Sequence, residues 1–201
     1  MAGERARVPF VGLTGGMGAG KSEALKALEG LGAATLSSDD VVRELLATDE
    51  MRDELIARFG DEVAPNGEVD RAKVASVVFE QPDQREWLEG LLWPRVGQRI
   101  AEWRERLEGR DPPPRAAVVE VPLLFESGME AAFDETIAVV ADEAVREERA
   151  GARGHEGVAS RTARQLPQEE KARRADYAVR NEGTLDELGE KLSEVLARMG
   201  T

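Results

Sequence analysis

The chain contains no cysteine, a single histidine (His155) and only 4% aromatic residues among 201. Without cysteine there are no disulfides, thiolate zinc sites or cysteine nucleophiles, and one histidine leaves no metal cluster. With so few aromatic rings, the core must be built from Leu, Val, Ala and Ile. No run approaches the ~20 apolar residues of a membrane span, and Met1 to Arg7 is polar with no apolar centre. A soluble, untargeted, cytoplasmic protein is expected. The Asn/Thr-Lys-x-Asp element of a guanine-reading switch is also missing. A net charge of −13 argues against nonspecific nucleic-acid binding, which needs a basic face to displace counterions.

What the chain does have is Gly15-Gly16-Met17-Gly18-Ala19-Gly20-Lys21-Ser22, which fits the phosphate-loop template of Gly, four residues, Gly, Lys and Ser/Thr. The chemistry accounts for each residue type. Glycines let successive backbone N–H groups turn toward phosphate oxygens at a helix N-terminus, whose dipole favours anions. Lys21 supplies a mobile positive charge for the β- and γ-phosphates, and the Ser22 hydroxyl is placed to ligate magnesium. Gly16, Gly18, Ala19, Gly20, Lys21, Ser22 and Glu23 are therefore candidate nucleotide contacts. The surrounding sequence agrees: Val8 to Leu13 reads as a buried strand and Glu23 to Glu29 as a helix.

The rest of the chain reads as an α/β protein. Ala33–Leu36, Ala116–Val121, Thr136–Val140 and Tyr177–Val179 are further strand candidates, for a parallel five-stranded sheet in a three-layer α/β/α arrangement of the P-loop NTPase type. Residues 40 to 109 repeat apolar residues at helical spacing and read as a helical insertion, with Pro82 and Pro94 expected in first helical turns. Thr184 and Glu187 form a capping-box pattern ahead of a stripe of Leu185, Leu188, Leu192 and Leu196. Residues 146 to 180 carry nine Lys/Arg against six Asp/Glu, a local basic segment in an acidic chain, with hinge-like glycines at 151, 154 and 157. The boundaries expected are a nucleotide-binding core of residues 8–37, 115–141 and 176–201, a helical acceptor-binding insertion of 38–114 and a helical lid of 142–175.

Four ordered features resemble the dephospho-coenzyme A kinase family: the loop from Gly12 to Ser22, Asp39 ahead of Val41-Val42-Arg43, Trp87-Leu88…Leu91-Leu92…Pro94, and Val119-Glu-Val-Pro-Leu-Leu-Phe-Glu126. Arg149…Arg153 and Asn181-Glu182-Gly183 fall where that family carries its lid arginines and its Asn-x-Gly turn. The resemblance runs from about residue 10 to Gly183. It implies magnesium-dependent transfer of the ATP γ-phosphate to the ribose 3′-hydroxyl of dephospho-coenzyme A. It also implies a small-molecule partner; from the charge and the lack of a long apolar run neither a nucleic-acid nor a membrane partner is expected, and a monomer or weak homo-oligomer is expected. Other small-molecule kinases of the same fold are the neighbouring alternative, and a non-catalytic nucleotide-binding regulator a more remote one.

Within that reading Asp39 is the residue that orients or deprotonates the acceptor hydroxyl, or else a helix N-cap. Arg149 and Arg153, four apart on one helix face, are expected to fork onto phosphate oxygens, or else to form a solvated charged face. Pro122, Leu123, Leu124 and Phe125 are acceptor-pocket candidates by resemblance, although an apolar run beside a strand is ordinarily core. Trp93 either faces the acceptor or packs inside. Asn181 is either a turn residue or an amide reading the adenine edge. His155 is expected to be exposed and inert. Ser37, Glu23 and Trp93 depart from the family pattern, where Asp, a hydroxyl residue and His are usual; these departures bear on acceptor recognition and affinity rather than on reaction type.

Overall fold

A computed structural model describes residues 7–151 and 165–199, without the side chains of 147, 148, 150 and 151. The expected contributions of Arg153, Gly154, His155 and Gly157 fall outside the described residues. The chain divides into two compact units, one of residues 1–37 and 104–201, the other of Ser38–Trp103.

The first unit is built on a parallel sheet of β1 (Phe10–Gly15), β2 (Ala34–Ser37), β3 (Ala117–Glu120), β4 (Glu135–Val140) and β5 (Tyr177–Arg180), in the order β2-β3-β1-β4-β5. β1 is central, with Phe10 opposite Ala117 on one side and Val11 opposite Glu135 on the other. Every residue of β1 and β3 is buried, which is why these strands read as continuous apolar runs rather than alternating ones. The pleat divides β1 between two layers. Val11 and Leu13 join the cluster formed with α1 (Lys21–Gly30) through Ala24 and Leu28, and with the C-terminal helix α8 (Leu185–Arg198) through Leu188, Leu192 and Leu196. Gly12 and Thr14 face the opposite layer, where a Cβ on Gly12 would lie 3.0 Å from Leu124 and from Phe133 and Thr14 meets Lys171 of α7 (Gln168–Arg174).

The second unit is helical: α2 (Ser38–Leu46), α3 (Asp49–Phe59), a 3-10 turn at Asp61–Val63, α4 (Arg71–Glu80) and most of α5 (Pro82–Glu108). Thr48 caps α3 by accepting from the Met51 N–H, and Asp70 caps α4 by accepting from Ala72 and Lys73, as short polar side chains do at N-caps.

Several sequence expectations are revised. Pro82 does begin a helix, but Pro94 lies inside α5, which runs unbroken for 27 residues where the sequence suggests a junction. An interior proline costs about 3 kcal/mol. Buried Leu88, Leu92, Val96 and Ile100, spaced by four on the same helix, contribute about 1.5–3 kcal/mol each, so the helix persists through the proline. Asp39 is the second residue of α2, inside its first turn, and so is not the N-cap of that helix. Leu185 is 68% exposed and drops out of the apolar stripe, its place taken by Val195. The capping box of Thr184 and Glu187 is formed in both directions.

Candidate active site

The phosphate loop leaves β1 and enters α1 at the carboxyl edge of the sheet, the rim where open parallel sheets bind ligands. Two glycines there are required by geometry. Gly18 (φ 76°) and Gly20 (φ 94°) hold left-handed conformations, and a Cβ would come 2.6 Å from the Arg146 carbonyl oxygen at Gly18 and 2.1 Å from the Asn181 amide nitrogen at Gly20. No side chain fits at either position, which leaves the backbone free to approach a ligand. Gly20 opens α1 without a side-chain cap, at the end of the helix whose dipole favours an anion. The Ala24 N–H returns to the Gly20 carbonyl at 2.9 Å, and the Ala19 N–H to the Gly16 carbonyl at 3.2 Å, closing the loop on itself.

Cations gather around this loop. Lys21 Nζ donates to the Gly16 carbonyl at 3.2 Å. From α6 (Glu143–Gly151), Arg146 Nε donates to the Met17 carbonyl at 3.0 Å and Arg149 Nη1 to the Asn181 carbonyl at 3.0 Å. The Arg146 guanidinium lies over Gly16, where a Cβ would be 3.5 Å from its Cζ. In a chain of net charge −13, these three half-buried cationic side chains beside one glycine-rich turn are a local concentration of positive charge suited to an anion. Ser22, in the first turn of α1, is exposed, with its hydroxyl beside Lys21 in sequence. Glu23 follows it, half-buried.

Asn181 takes a role that the sequence does not suggest. It is only 4% exposed; its side-chain amide donates to the Ala19 carbonyl at 2.9 Å and its backbone N–H to the Val140 carbonyl at 2.8 Å. It ties the end of β5 to the phosphate loop. Neither turn-forming nor adenine-reading chemistry describes these bonds, although the side-chain oxygen is not engaged by them.

The Pro122–Phe125 run separates into two parts. Leu124 and Phe125 are buried, Leu124 against Gly12 and the Phe125 ring under the Arg174 guanidinium at 4.8 Å, so both side chains serve the core. Pro122 and Leu123 keep partial exposure and can meet a ligand. Beneath them lies Lys171, buried at 0%, with Nζ 2.9 Å from Glu126 Oε1 and 2.7 Å from the Pro122 carbonyl. Burial pushes its ammonium below the ordinary lysine range, and the Glu126 carboxylate opposes that shift. Sequence reasoning misses both Lys171 and Arg146. A lysine in Glu-Glu-Lys-Ala-Arg-Arg looks like one more solvated charge, and Arg146 is one of nine basic residues in its segment.

Asp39 and Trp93 belong to the second unit. Asp39 is exposed, and its neighbour Asp40 pairs with Arg43 at 2.6 Å. Trp93 is 38% exposed on α5, whereas Trp87 is packed edge-on against Phe59; of the two rings, Trp93 is the one offered to solvent. Among the described residues no group of His, Asp and Glu is arranged to hold a metal ion. The Ser22 hydroxyl, in the first turn of α1, is an oxygen donor of the kind that magnesium takes. No helix among the described residues is long and apolar enough to cross a membrane.

The family model for dephospho-CoA kinase matches residues 9–187. The dephospho-CoA kinase of Synechococcus sp. (strain CC9902) is 36% identical over 192 residues, which cover 92% of this chain and 94% of that protein. The dephospho-CoA kinase of Thermus thermophilus is 33% identical over 201 residues, covering 98% and 95%. Among solved structures, TT1252 from Thermus thermophilus superposes with a TM-score of 0.81 at 32% identity, over 96% of this chain and 98% of that one. The dephospho-CoA kinase from Campylobacter jejuni shares the fold, with a TM-score of 0.64 at 21% identity, over 96% of this chain and 97% of that one.

Proposed function

The chain belongs to the dephospho-CoA kinase family, and on that premise we propose how its own residues carry the reaction. The activity is ATP-dependent phosphorylation of dephospho-CoA at the ribose 3′-hydroxyl, giving CoA and ADP, the last step of CoA biosynthesis. The observation that carries the assignment of roles is the collection of Lys21, Arg146 and Arg149 around the Gly15–Ser22 turn.

Phosphoryl transfer passes through a loose transition state in which charge spreads over the equatorial oxygens, so the protein acts through positioning and charge neutralisation. The loop N–H groups cradle the phosphates. Lys21 leaves the Gly16 carbonyl to meet the β- and γ-oxygens, and Ser22 would hold a magnesium ion, which would supply neutralising charge to the polyphosphate. Arg149, whose Nη1 lies 3.9 Å from where a Cβ of Gly20 would stand, turns its fork from the Asn181 carbonyl to the polyphosphate; Arg153 is assigned the same work. Arg146 covers the turn from the Gly16 side, and Asn181 keeps the Ala19 carbonyl directed away from the incoming anion.

On the acceptor side Asp39 accepts the hydrogen bond of the 3′-hydroxyl and takes its proton as the hydroxyl oxygen bonds to the γ-phosphorus and the bond from that phosphorus to the departing ADP oxygen breaks. Pro122 and Leu123 border the acceptor, and Trp93 offers it an apolar face. The helical unit of Ser38–Trp103 is assigned to the acceptor, and α6, with Arg146 and Arg149, to the nucleotide. The test is Lys21→Ala with magnesium, ATP and dephospho-CoA. Phosphotransfer should fall by about 10²-fold or more with an unchanged circular dichroism spectrum; activity close to that of the parent protein would remove the loop lysine from the mechanism.

A further inference from the structure

Lys171 heads the large side chains that are fully buried among the described residues. A buried ammonium is unfavourable unless it is paired and hydrogen-bonded, and this one is both. Its Nζ reaches Glu126 Oε1 at 2.9 Å, the Pro122 carbonyl at 2.7 Å and Thr14 Oγ1 at 3.4 Å. The Thr14 hydroxyl itself donates to the same Pro122 carbonyl at 3.3 Å, and Glu126 Oε1 also accepts from the Leu166 N–H at 2.7 Å. One cation from α7 thus joins the last turn of β1 before the phosphate loop, both ends of the 122–126 turn, and the segment that enters α7.

For stability alone, an apolar side chain of similar volume would serve as well or better at such a place. A polar cluster is called for where particular polar atoms must be held at fixed positions, and here those atoms are the Pro122 carbonyl and the Thr14 hydroxyl. Lys171 is too deep to touch a substrate. Pro122 and Leu123, directly above it, are not.

We propose that Lys171 is a positioning residue for the acceptor: by clamping the Pro122 carbonyl to the Thr14 hydroxyl, it fixes where the Pro122–Leu123 surface stands relative to the phosphate loop. The inference rests on the reading above that this surface borders dephospho-CoA. It separates Lys171 from a buried ion pair whose sole effect is on folding, because a clamp acts on the acceptor even when stability has been restored.

Four variants decide it: Lys171→Met, Lys171→Arg, the double variant Lys171→Met/Glu126→Gln, and Leu123→Ala. Each is assayed for melting temperature, kcat, and KM for ATP and for dephospho-CoA. Lys171→Met strands the Glu126 carboxylate and should melt lower. The double variant removes both buried charges while leaving an acceptor for the Leu166 N–H, so most of the melting temperature should return. Its KM for dephospho-CoA should nevertheless stay about 10-fold above that of the parent protein, with KM for ATP within about 2-fold. Lys171→Arg, which keeps the charge and the donors, should move the acceptor KM back toward the parent value. If the acceptor KM of the double variant returns to normal along with its melting temperature while Leu123→Ala raises that KM, the pair is structural only and the inference fails by itself. If Leu123→Ala leaves the acceptor KM unchanged, the surface does not meet dephospho-CoA, and the inference falls with that reading.

Discussion

Asn181 donates its side-chain amide to the carbonyl of Ala19 over 2.9 Å, across 162 residues of chain, from a buried position at the end of β5. The same nitrogen is what a Cβ on Gly20 would strike. The last strand of the sheet and the first glycine-rich turn are therefore fitted to one another, and the shape of the turn depends on a residue remote in sequence.

Asn181→Ala should loosen that turn. It leaves the buried Ala19 carbonyl without its donor, which costs about 1–3 kcal/mol, or a melting temperature lower by roughly 2–4 °C for each kcal/mol in a chain of this size. KM for ATP should rise more than KM for dephospho-CoA, since the bond supports the nucleotide side. Thermal melts and steady-state kinetics check both effects. An unchanged KM for ATP would make Asn181 a fold element only.

Asp39→Asn separates catalysis from helix support. Asp39 stands in the first turn of α2 and is exposed, so loss of its charge forfeits a charge–dipole interaction of about 0.3–1 kcal/mol. A general base contributes about 10²- to 10⁴-fold, and turnover should fall by that order while both substrates still bind. Turnover close to the parent value, with a small stability loss, would leave Asp39 as a helix residue.

Much of this is legible in the sequence because it depends on local pattern. The phosphate loop is contiguous, and its glycines are dictated by backbone geometry that few other residues tolerate. The apolar runs of β1, β3 and β4 and the Thr184–Glu187 box are likewise local. What is not legible depends on tertiary partners. Lys171 reads as surface until Glu126, Pro122 and Thr14 are brought to it from other segments. Arg146 is one arginine among several until α6 lies across Met17. Pro94 suggests a break, because a proline rule cannot see the burial of Leu88, Leu92, Val96 and Ile100 that holds α5 together.

The buried lysine also gives the protein a pH signature. Its ammonium is held below the ordinary value of 10.5 by burial, against the pull of Glu126. Between the lowered folded value and the unfolded one, the unfolded chain binds more protons, so stability attributable to this group rises with pH across that window. Arginine does not titrate there. Melting of the parent protein and of Lys171→Arg, followed from neutral to alkaline pH, should show the parent gaining on the variant as pH rises toward 10.5. A constant difference would mean that Lys171 keeps its ordinary proton affinity.

Which acceptor the phosphoryl group reaches is decided by magnesium-dependent ADP release from the purified protein, with dephospho-CoA set beside AMP, adenosine, gluconate and shikimate at equal concentration. A phosphate loop serving dephospho-CoA should give rapid ADP release with that acceptor, CoA as the product, and near-background release with the others. Turnover that favoured any of the other four, or ADP release that did not depend on dephospho-CoA, would refute the assigned reaction.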